Sequence, residues 1–339
     1  MTTIPRQRPT LSSTSGTGHA RILGIGGYRP ERVVTNDEIC ENIDSSDQWI
    51  RERTGIVTRR FAALEETVVD MASAAALEAL KSAGLTPSQV DAIILATVTH
   101  PYQTPGAAPM VADRIGATPA AAFDISAACA GYCHGIALAN DMVRGGSARF
   151  VLVIGVEKLS DFTDRTDRGS AFIFGDGAGA AVVGPSDFPG ISPTVWGSDG
   201  ARWETISQRN SWIEVRDQHV EWPAITMAGQ SVFRWAVYSM APIAHAALDK
   251  AGIKAEDLDA FIPHQANMRI IDALVKQLKL PEHIAIARDI ADTGNTSAAS
   301  VPLATKRMLD SGEAPHGGLA LQIAFGAGLV YAAQVIVLP

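Results

Sequence analysis

The stretch Ala75-Ala-Leu-Glu-Ala-Leu-Lys-Ser-Ala-Gly-Leu85 leads through Thr86-Pro-Ser-Gln89 into Val90-Asp-Ala-Ile-Ile94, and much later Ala244-His-Ala-Ala-Leu-Asp-Lys-Ala-Gly-Ile253 leads through Lys254-Ala-Glu-Asp257 into Leu258-Asp-Ala-Phe-Ile262. Each reads as an Ala-rich helix closed by glycine at its C-cap, a short polar turn, and an apolar strand. Chance similarity between two Ala-rich helices is the plain alternative. The shared Ala-Gly-Leu/Ile cap and the Asp-Ala strand start favour duplication. Gly84 and Gly252 lie 168 positions apart, close to half of the 339 residues. The chain therefore divides near Gly190, into halves 21–190 and 191–339.

Working outward, apolar strands alternate with helices in both halves. The candidate strands are Ala92–Thr97, Ala121–Ile125, Phe150–Gly155, Ala180–Val183, Phe261–Pro263, Ile284–Ala287, Leu319–Ala324 and Tyr331–Val337. Runs without polar alternation, such as Val151-Leu-Val-Ile154, suit strands covered on both faces. Helices between them imply right-handed crossovers and largely parallel sheets. The predicted class is α/β, with two sheets sharing covering helices in five layers, αβαβα.

Composition limits the function. Hydrophobic residues make up 47% and charged residues 19%, a globular balance. The net charge of −8 argues against nucleic-acid binding, yet leaves room for a local basic patch. No apolar run is long enough to span a membrane. Three cysteines, Cys40, Cys129 and Cys133, read as reduced thiols of a cytoplasmic protein. Residues 1–20 are polar, lack the apolar core of a secretory signal, and read as a disordered tail.

In an α/β sheet, reactive groups collect where strands end and helices begin. Phe123-Asp-Ile-Ser126 leads into Cys129, Phe261-Ile-Pro263 into His264, Ile284–Ala287 through Gly294-Asn295-Thr296, and Leu319–Ala324 into Phe325-Gly-Ala-Gly328. The free N–H groups at a helix start favour a thiolate at Cys129. Cys133, one turn on, reads as a small buried hydrophobe. No second ligand pair accompanies these cysteines, so a metal is not expected. His100 is the nearest competitor of His264, and Asn295 reads equally as a turn former. Together a thiol, an imidazole and an amide converge on one pocket. Gly175-Asp-Gly-Ala-Gly179 misses the dinucleotide spacing and leads into a strand, so it is not a nucleotide loop.

The segments Asp124-Ile-Ser-Ala-Ala-Cys-Ala-Gly131, His264-Gln-Ala-Asn-Met-Arg-Ile270 and Gly294-Asn-Thr-Ser-Ala-Ala-Ser300 resemble the three signatures of the 3-oxoacyl-[acyl-carrier-protein] synthase III family. Arg51-Glu-Arg-Thr-Gly-Ile56 and Gly175–Ala180 also resemble family segments, and the likeness runs from about Arg21 to the C-terminus. It implies the duplicated thiolase-like fold, a homodimer, and a catalytic triad of Cys129, His264 and Asn295. It implies condensation of an acyl-CoA primer with a malonyl-acyl carrier protein, initiating fatty acid synthesis, with no metal or cofactor. A related priming enzyme of a polyketide pathway is the alternative.

The same resemblance implies oxyanion donors in the backbone N–H groups of Cys129 and Ala327, where many relatives have glycine at the latter position. It assigns CoA contacts to Trp49, Arg53, Arg168, Arg234 and Asn267, and carrier-protein contacts to Arg269 and Lys276. Arg269 and Lys276 share a helix face, although a solvated face explains them as well. Thr104 matches a position where some relatives place phenylalanine from the partner subunit at the end of the primer pocket. A smaller residue there implies room for branched or longer primers.

Overall fold

The computed structural model describes residues 11–339. Toward the N-terminal side of the chain lie β1 (His19–Tyr28), β2 (Arg32–Thr35), β3 (Thr58–Phe61), β4 (Ala92–Ala96), β5 (Ala121–Ile125), β6 (Val151–Glu157) and β7 (Gly177–Ser186). They are followed by β8 (Val195–Gly197), β9 (Ile206–Gln208), β10 (Ile225–Met227), β11 (Ala260–Pro263), β12 (Ala285–Ile286), β13 (Leu319–Gly326) and β14 (Val330–Val337). The helices are α1 (Asn36–Cys40), α2 (Asp47–Thr54), α3 (Val68–Ala83), α4 (Ala107–Ile115), α5 (Gly131–Gly145), α6 (Trp212–Gln218), α7 (Gly229–Ala251), α8 (Met268–Leu278), α9 (Ile290–Thr293) and α10 (Ser300–Ser311).

The two glycine-closed helices form where the sequence places them. Thr67 and Asp70 make a reciprocal capping box at the start of α3, and Gly84 ends it in the left-handed region at φ 68°. Gly252 ends α7 in the same way at φ 73°. The strands that follow occupy matching places. One sheet has the order β1-β7-β6-β4-β5 and the other β8-β14-β13-β11-β12. In both, the three strands at one side run parallel and the remaining pairs run antiparallel. Identical order and direction are what duplication of one unit produces.

Helices α5 and α10 pack against strands of both sheets, α3 and α4 cover the outer face of the first, and α7 the second. The cores follow these layers. Ile136, Val153, Val183, Ile262 and Val301 fill the middle, Met71, Leu80 and Ile154 the first outer layer, and Leu274, Phe261 and Leu321 the second. This is the predicted five-layer α/β architecture. The parallel strands end at the middle of the molecule, which brings their C-terminal loops together.

One boundary differs from the sequence reading. Part of the predicted tail, residues 1–10, lies outside the described residues. Beyond it, Thr14 Oγ1 donates to Gly145 O at 2.8 Å, Thr17 N donates to Val143 O at 3.4 Å, and β1 already begins at His19. The end of that stretch contacts the C-terminus of α5. β1 escaped notice because its glycines weaken a strand pattern. They are there for packing: a Cβ on Gly26 would lie 2.3 Å from Ala75 O of α3.

Candidate active site

The nucleophile turn is built from β5 and α5. Asp124, near the end of β5, accepts from the N–H groups of Ala107 and Ala108 at 2.8 and 2.7 Å, tying that strand end to the start of α4. Ala128 then takes φ 45°, a costly conformation for a residue with a Cβ, and Cys129 follows in the single 3₁₀ turn that feeds α5. Gly326, at the end of β13, packs directly against it. A Cβ there would lie 2.7 Å from Cys129 N and 3.0 Å from Cys129 Cβ. The next residue is Ala327, so the backbone of the two predicted oxyanion donors meets across the sheets.

His264 directly follows β11, and its N–H donates to Ile323 O of the neighbouring β13 at 2.7 Å. The ring packs edge-on against Phe325, with centroids 5.5 Å apart. Its Nδ1 lies 2.7 Å from Ser300 Oγ, which also accepts from Gln265 N at 3.4 Å. Among the described residues Ser300 Oγ has no other acceptor, so its hydrogen is assigned to Nδ1 and the ring proton to Nε2. Burial pushes the imidazole pKa down to about 3. At neutral pH His264 is therefore an uncharged donor.

Asn295 sits in an irregular loop bridged to Phe174, where its N–H donates to Ile173 O at 2.9 Å and Gly175 N donates to its carbonyl at 3.0 Å. Its side-chain Oδ1 accepts from Ser297 N at 2.8 Å. That contact fixes the amide so that the NH₂ end is the one left for a ligand. Beneath the loop lies Arg59, fully buried, donating to Asn36 Oδ1 at 2.7 Å and Phe172 O at 2.8 Å. Desolvation lowers its pKa to about 10.

Cys129, His264, Asn295 and Ala327 line one cleft of about 1010 Å³, together with Trp49, Arg53, Arg168, Arg234, Asn267 and Arg269. The guanidinium groups of Arg53 and Arg168 lie 5.8 and 5.6 Å from the centroid of the Trp49 ring. Arg168 also donates to Asp44 O at 2.6 Å. The Asn267 amide caps α8, accepting from Arg269 N at 2.9 Å and donating to Arg53 O at 3.0 Å, so both its ends are engaged by protein. Arg269 lies 5.2 Å over Phe233. Lys276 is exposed further along α8, outside the cleft. Thr104 is exposed and does not line the cleft of its own chain.

Three observations went unseen in the sequence. Ser297, at φ 48°, lines the cleft with Cys129 and donates to Glu157 Oε1 at 3.0 Å. Ser300 sets the His264 tautomer. The Cys129 thiol is not favoured as a thiolate: burial pushes its pKa up to about 12, and the Ser297 hydrogen bond lowers it by less than burial raises it. Desolvation outweighs the helix start there, although Cys129 keeps some exposed surface along the cleft. Among the described residues, no group of three or more His, Cys, Asp or Glu side chains is placed to hold a metal, and no helix is long and apolar enough to cross a membrane.

The family description 3-oxoacyl-[acyl-carrier-protein (ACP)] synthase III matches residues 123–200, and its C-terminal counterpart matches residues 248–338. The beta-ketoacyl-[acyl-carrier-protein] synthase III of Streptomyces glaucescens is 59% identical over 330 residues, covering 97% of this chain and 99% of that protein. This chain belongs to the 3-oxoacyl-[acyl-carrier-protein] synthase III family. Solved structures agree with it. The synthase III of Aquifex aeolicus VF5 superposes with TM-score 0.87 at 40% identity, over 94% of this chain and 99% of that one. The priming beta-ketosynthase of the R1128 polyketide biosynthetic pathway reaches TM-score 0.95 at 49% identity, over 98% and 99%. As a synthase III, the chain is a condensing acyltransferase of fatty acid biosynthesis on the thiolase fold.

Proposed function

We propose that the enzyme joins an acyl-CoA primer to malonyl-acyl carrier protein by decarboxylative Claisen condensation, through a thioester on Cys129. The observation that carries this is the orientation of two donors into one cleft with a thiol. His264 Nε2 and the Asn295 NH₂ are the free ends of groups whose other polar atoms are already held.

The Cys129 sulfur attacks the primer carbonyl, the carbon–sulfur bond to CoA breaks, and CoA leaves as its thiol. The backbone N–H groups of Cys129 and Ala327 hold the oxyanion formed on the way. Malonyl-acyl carrier protein then loses CO₂, and the electron pair moves onto its thioester oxygen. The His264 and Asn295 donors stabilise that enolate, and a neutral His264 serves without changing its charge. The enolate carbon attacks the Cys129 thioester, the carbon–sulfur bond to Cys129 breaks, 3-oxoacyl-acyl carrier protein leaves, and the released Cys129 thiolate takes a proton from solvent to restore the thiol.

Trp49, flanked by Arg53 and Arg168, suits the adenine of CoA, and Arg234 its phosphates. Asn267 serves by holding the backbones of Arg53 and Arg269. Arg269 and Lys276 offer an acidic carrier protein a basic approach. Chain halves meeting near Gly190 give each substrate a wall from both. A homodimer fits β5, an edge strand with Ala121 and Phe123 exposed, which is a template for pairing with a second copy. Thr104 would reach the primer pocket of that partner, and its small side chain leaves room for branched or longer primers. Turnover of acetyl-CoA with none of isobutyryl-CoA or longer primers contradicts this. Priming of a polyketide is the second reading, favoured by the 49% identity to the R1128 priming enzyme.

Intact-mass measurement after exposure to a panel of acyl-CoAs, followed by a chase with malonyl-acyl carrier protein, tests the reading. The expected result is one acyl adduct that disappears as 3-oxoacyl carrier protein forms. An adduct discharged without that product means simple acyl transfer. Discharge only by a polyketide carrier protein supports the second reading.

A further inference from the structure

The first half-reaction needs somewhere to put the Cys129 proton, and the triad offers no good place. His264 is buried without a countercharge, its Nδ1 already engaged by Ser300. Accepting a proton there would leave an imidazolium in an apolar wall beside Phe325. Another acceptor, Glu157, is reached through Ser297, which lines the same cleft.

Glu157 ends β6 with no exposed surface. Its Oε2 accepts from Thr99 Oγ1 at 2.7 Å, Val98 N at 3.1 Å and Thr97 Oγ1 at 3.2 Å. Among the described residues its Oε1 accepts only from Ser297 Oγ, at 3.0 Å. Ser297 in turn lines the cleft beside Cys129, with its backbone at φ 48° and its turn in contact with the nucleophile turn. Gly155, two residues before Glu157, carries this turn: a Cβ there would lie 2.2 Å from Ala298 O. The strand and the turn are thus in contact because a glycine allows it.

Resting on the acyl-Cys129 reading, we infer that Glu157 is a positioning residue that receives the Cys129 proton through the Ser297 hydroxyl during acylation. The Cys129 S–H bond breaks as its proton passes to Ser297 Oγ, and the original Ser297 proton passes to Glu157 Oε1. The sulfur electron pair forms the bond to the primer carbonyl carbon. When the bond to CoA breaks, the departing sulfur takes a proton returned along the same chain, and Glu157 is again a carboxylate. Atoms and charge balance without any further reactant.

The surroundings suit this use. Four donors can hold a carboxylate, while burial raises the Glu157 pKa to about 7, so both forms are accessible at neutral pH. From the β4 side, Thr97, Val98 and Thr99 bring no charge, and His100 follows on the same turn, packed on Tyr102. Lys158, next in the chain, turns its ammonium to Ala63 O, Leu64 O and Asp161. Asp176 is engaged by Ser160 and the Ala62 N–H. From the nucleophile turn the titratable group is Cys129 itself, whose thiolate the Glu157 charge disfavours.

Single-turnover adduct formation with acyl-CoA, measured across pH 5.5–10, tests this. The wild type should rise through an inflection near the Glu157 ionisation and level off. Glu157→Gln and Ser297→Ala should lose the plateau, fall about a hundredfold near pH 8, and climb steadily toward pH 10 as the thiol ionises alone. Glu157→Asp should keep the inflection. A folded Glu157→Gln with the wild-type profile overturns the inference, and Ser297→Ala decides if Glu157→Gln does not fold. A proton inventory on the wild type needs no variant: two protons in flight give a curved dependence on deuterium content, and a linear one overturns the relay. A wild type that forms no Cys129 adduct at any pH instead removes the reading beneath it.

Discussion

Asn295 has one amide, and the protein decides which end meets the substrate. Because Ser297 N holds Oδ1, the NH₂ group faces the cleft. Asn295→Ala should raise the barrier to malonyl decarboxylation by about 3–4 kcal/mol, a few hundredfold in rate, while acylation by acyl-CoA stays near the wild-type rate. Separate assays of CO₂ release and adduct formation check this. Ser300→Ala frees the His264 tautomer and should slow decarboxylation by about tenfold, the worth of one hydrogen bond. The residue types Cys129, His264 and Asn295 were legible because each stands where a strand gives way to a turn. Ser297, Ser300 and Glu157 were not. Their roles come from contacts 140 and 36 positions apart in the chain, and neither a serine nor a strand-terminal glutamate carries a local signature.

At the scale of elements, the site depends on two turns that strands press into place. Gly155 of β6 lets the turn at Ser297 approach, and Gly326 of β13 lets the backbone approach Cys129. Neither contact leaves space for a methyl group. Gly326→Ala should destabilise the protein by about 1–3 kcal/mol and reduce adduct formation out of proportion to that loss. Denaturant melts beside single-turnover rates separate the two effects. The helices closed by Gly84 and Gly252 and the strands after them were readable because caps and apolar runs are local. β1 was not, because a strand of glycines and small residues is chosen by the α3 face it packs on. The thiolate expected at the start of α5 failed for a related reason. A helix start is visible in sequence, but the wall that desolvates the sulfur is assembled from distant segments.

For the molecule as a whole, two buried groups bend stability with pH in opposite senses. His264 has its pKa lowered from 6.5 to about 3, so the unfolded chain binds its proton first and stability falls as pH drops below 6.5. Glu157 has its pKa raised from 4.5 to about 7, so its contribution is full below 4.5 and is lost as pH rises toward 7. Over about pH 4.5–6.5 the two oppose each other. Relative to the wild type, His264→Gln should lose stability with rising pH there, and Glu157→Gln should gain it, by up to about 1.4 kcal/mol per pH unit. Denaturant melts at several pH values check both signs. The exposed β5 edge makes a further whole-molecule prediction: if it pairs two copies as proposed, Phe123→Lys should shift sedimentation from dimer to monomer. The account rests above all on one sulfur carrying the acyl group. Peptide mapping of enzyme acylated in the absence of malonyl-acyl carrier protein should find the acyl mass on the peptide of Cys129 and nowhere in Cys129→Ala. Acyl mass on the peptide of Cys40, or a Cys129→Ala enzyme that still forms 3-oxoacyl product at the native rate, would contradict it.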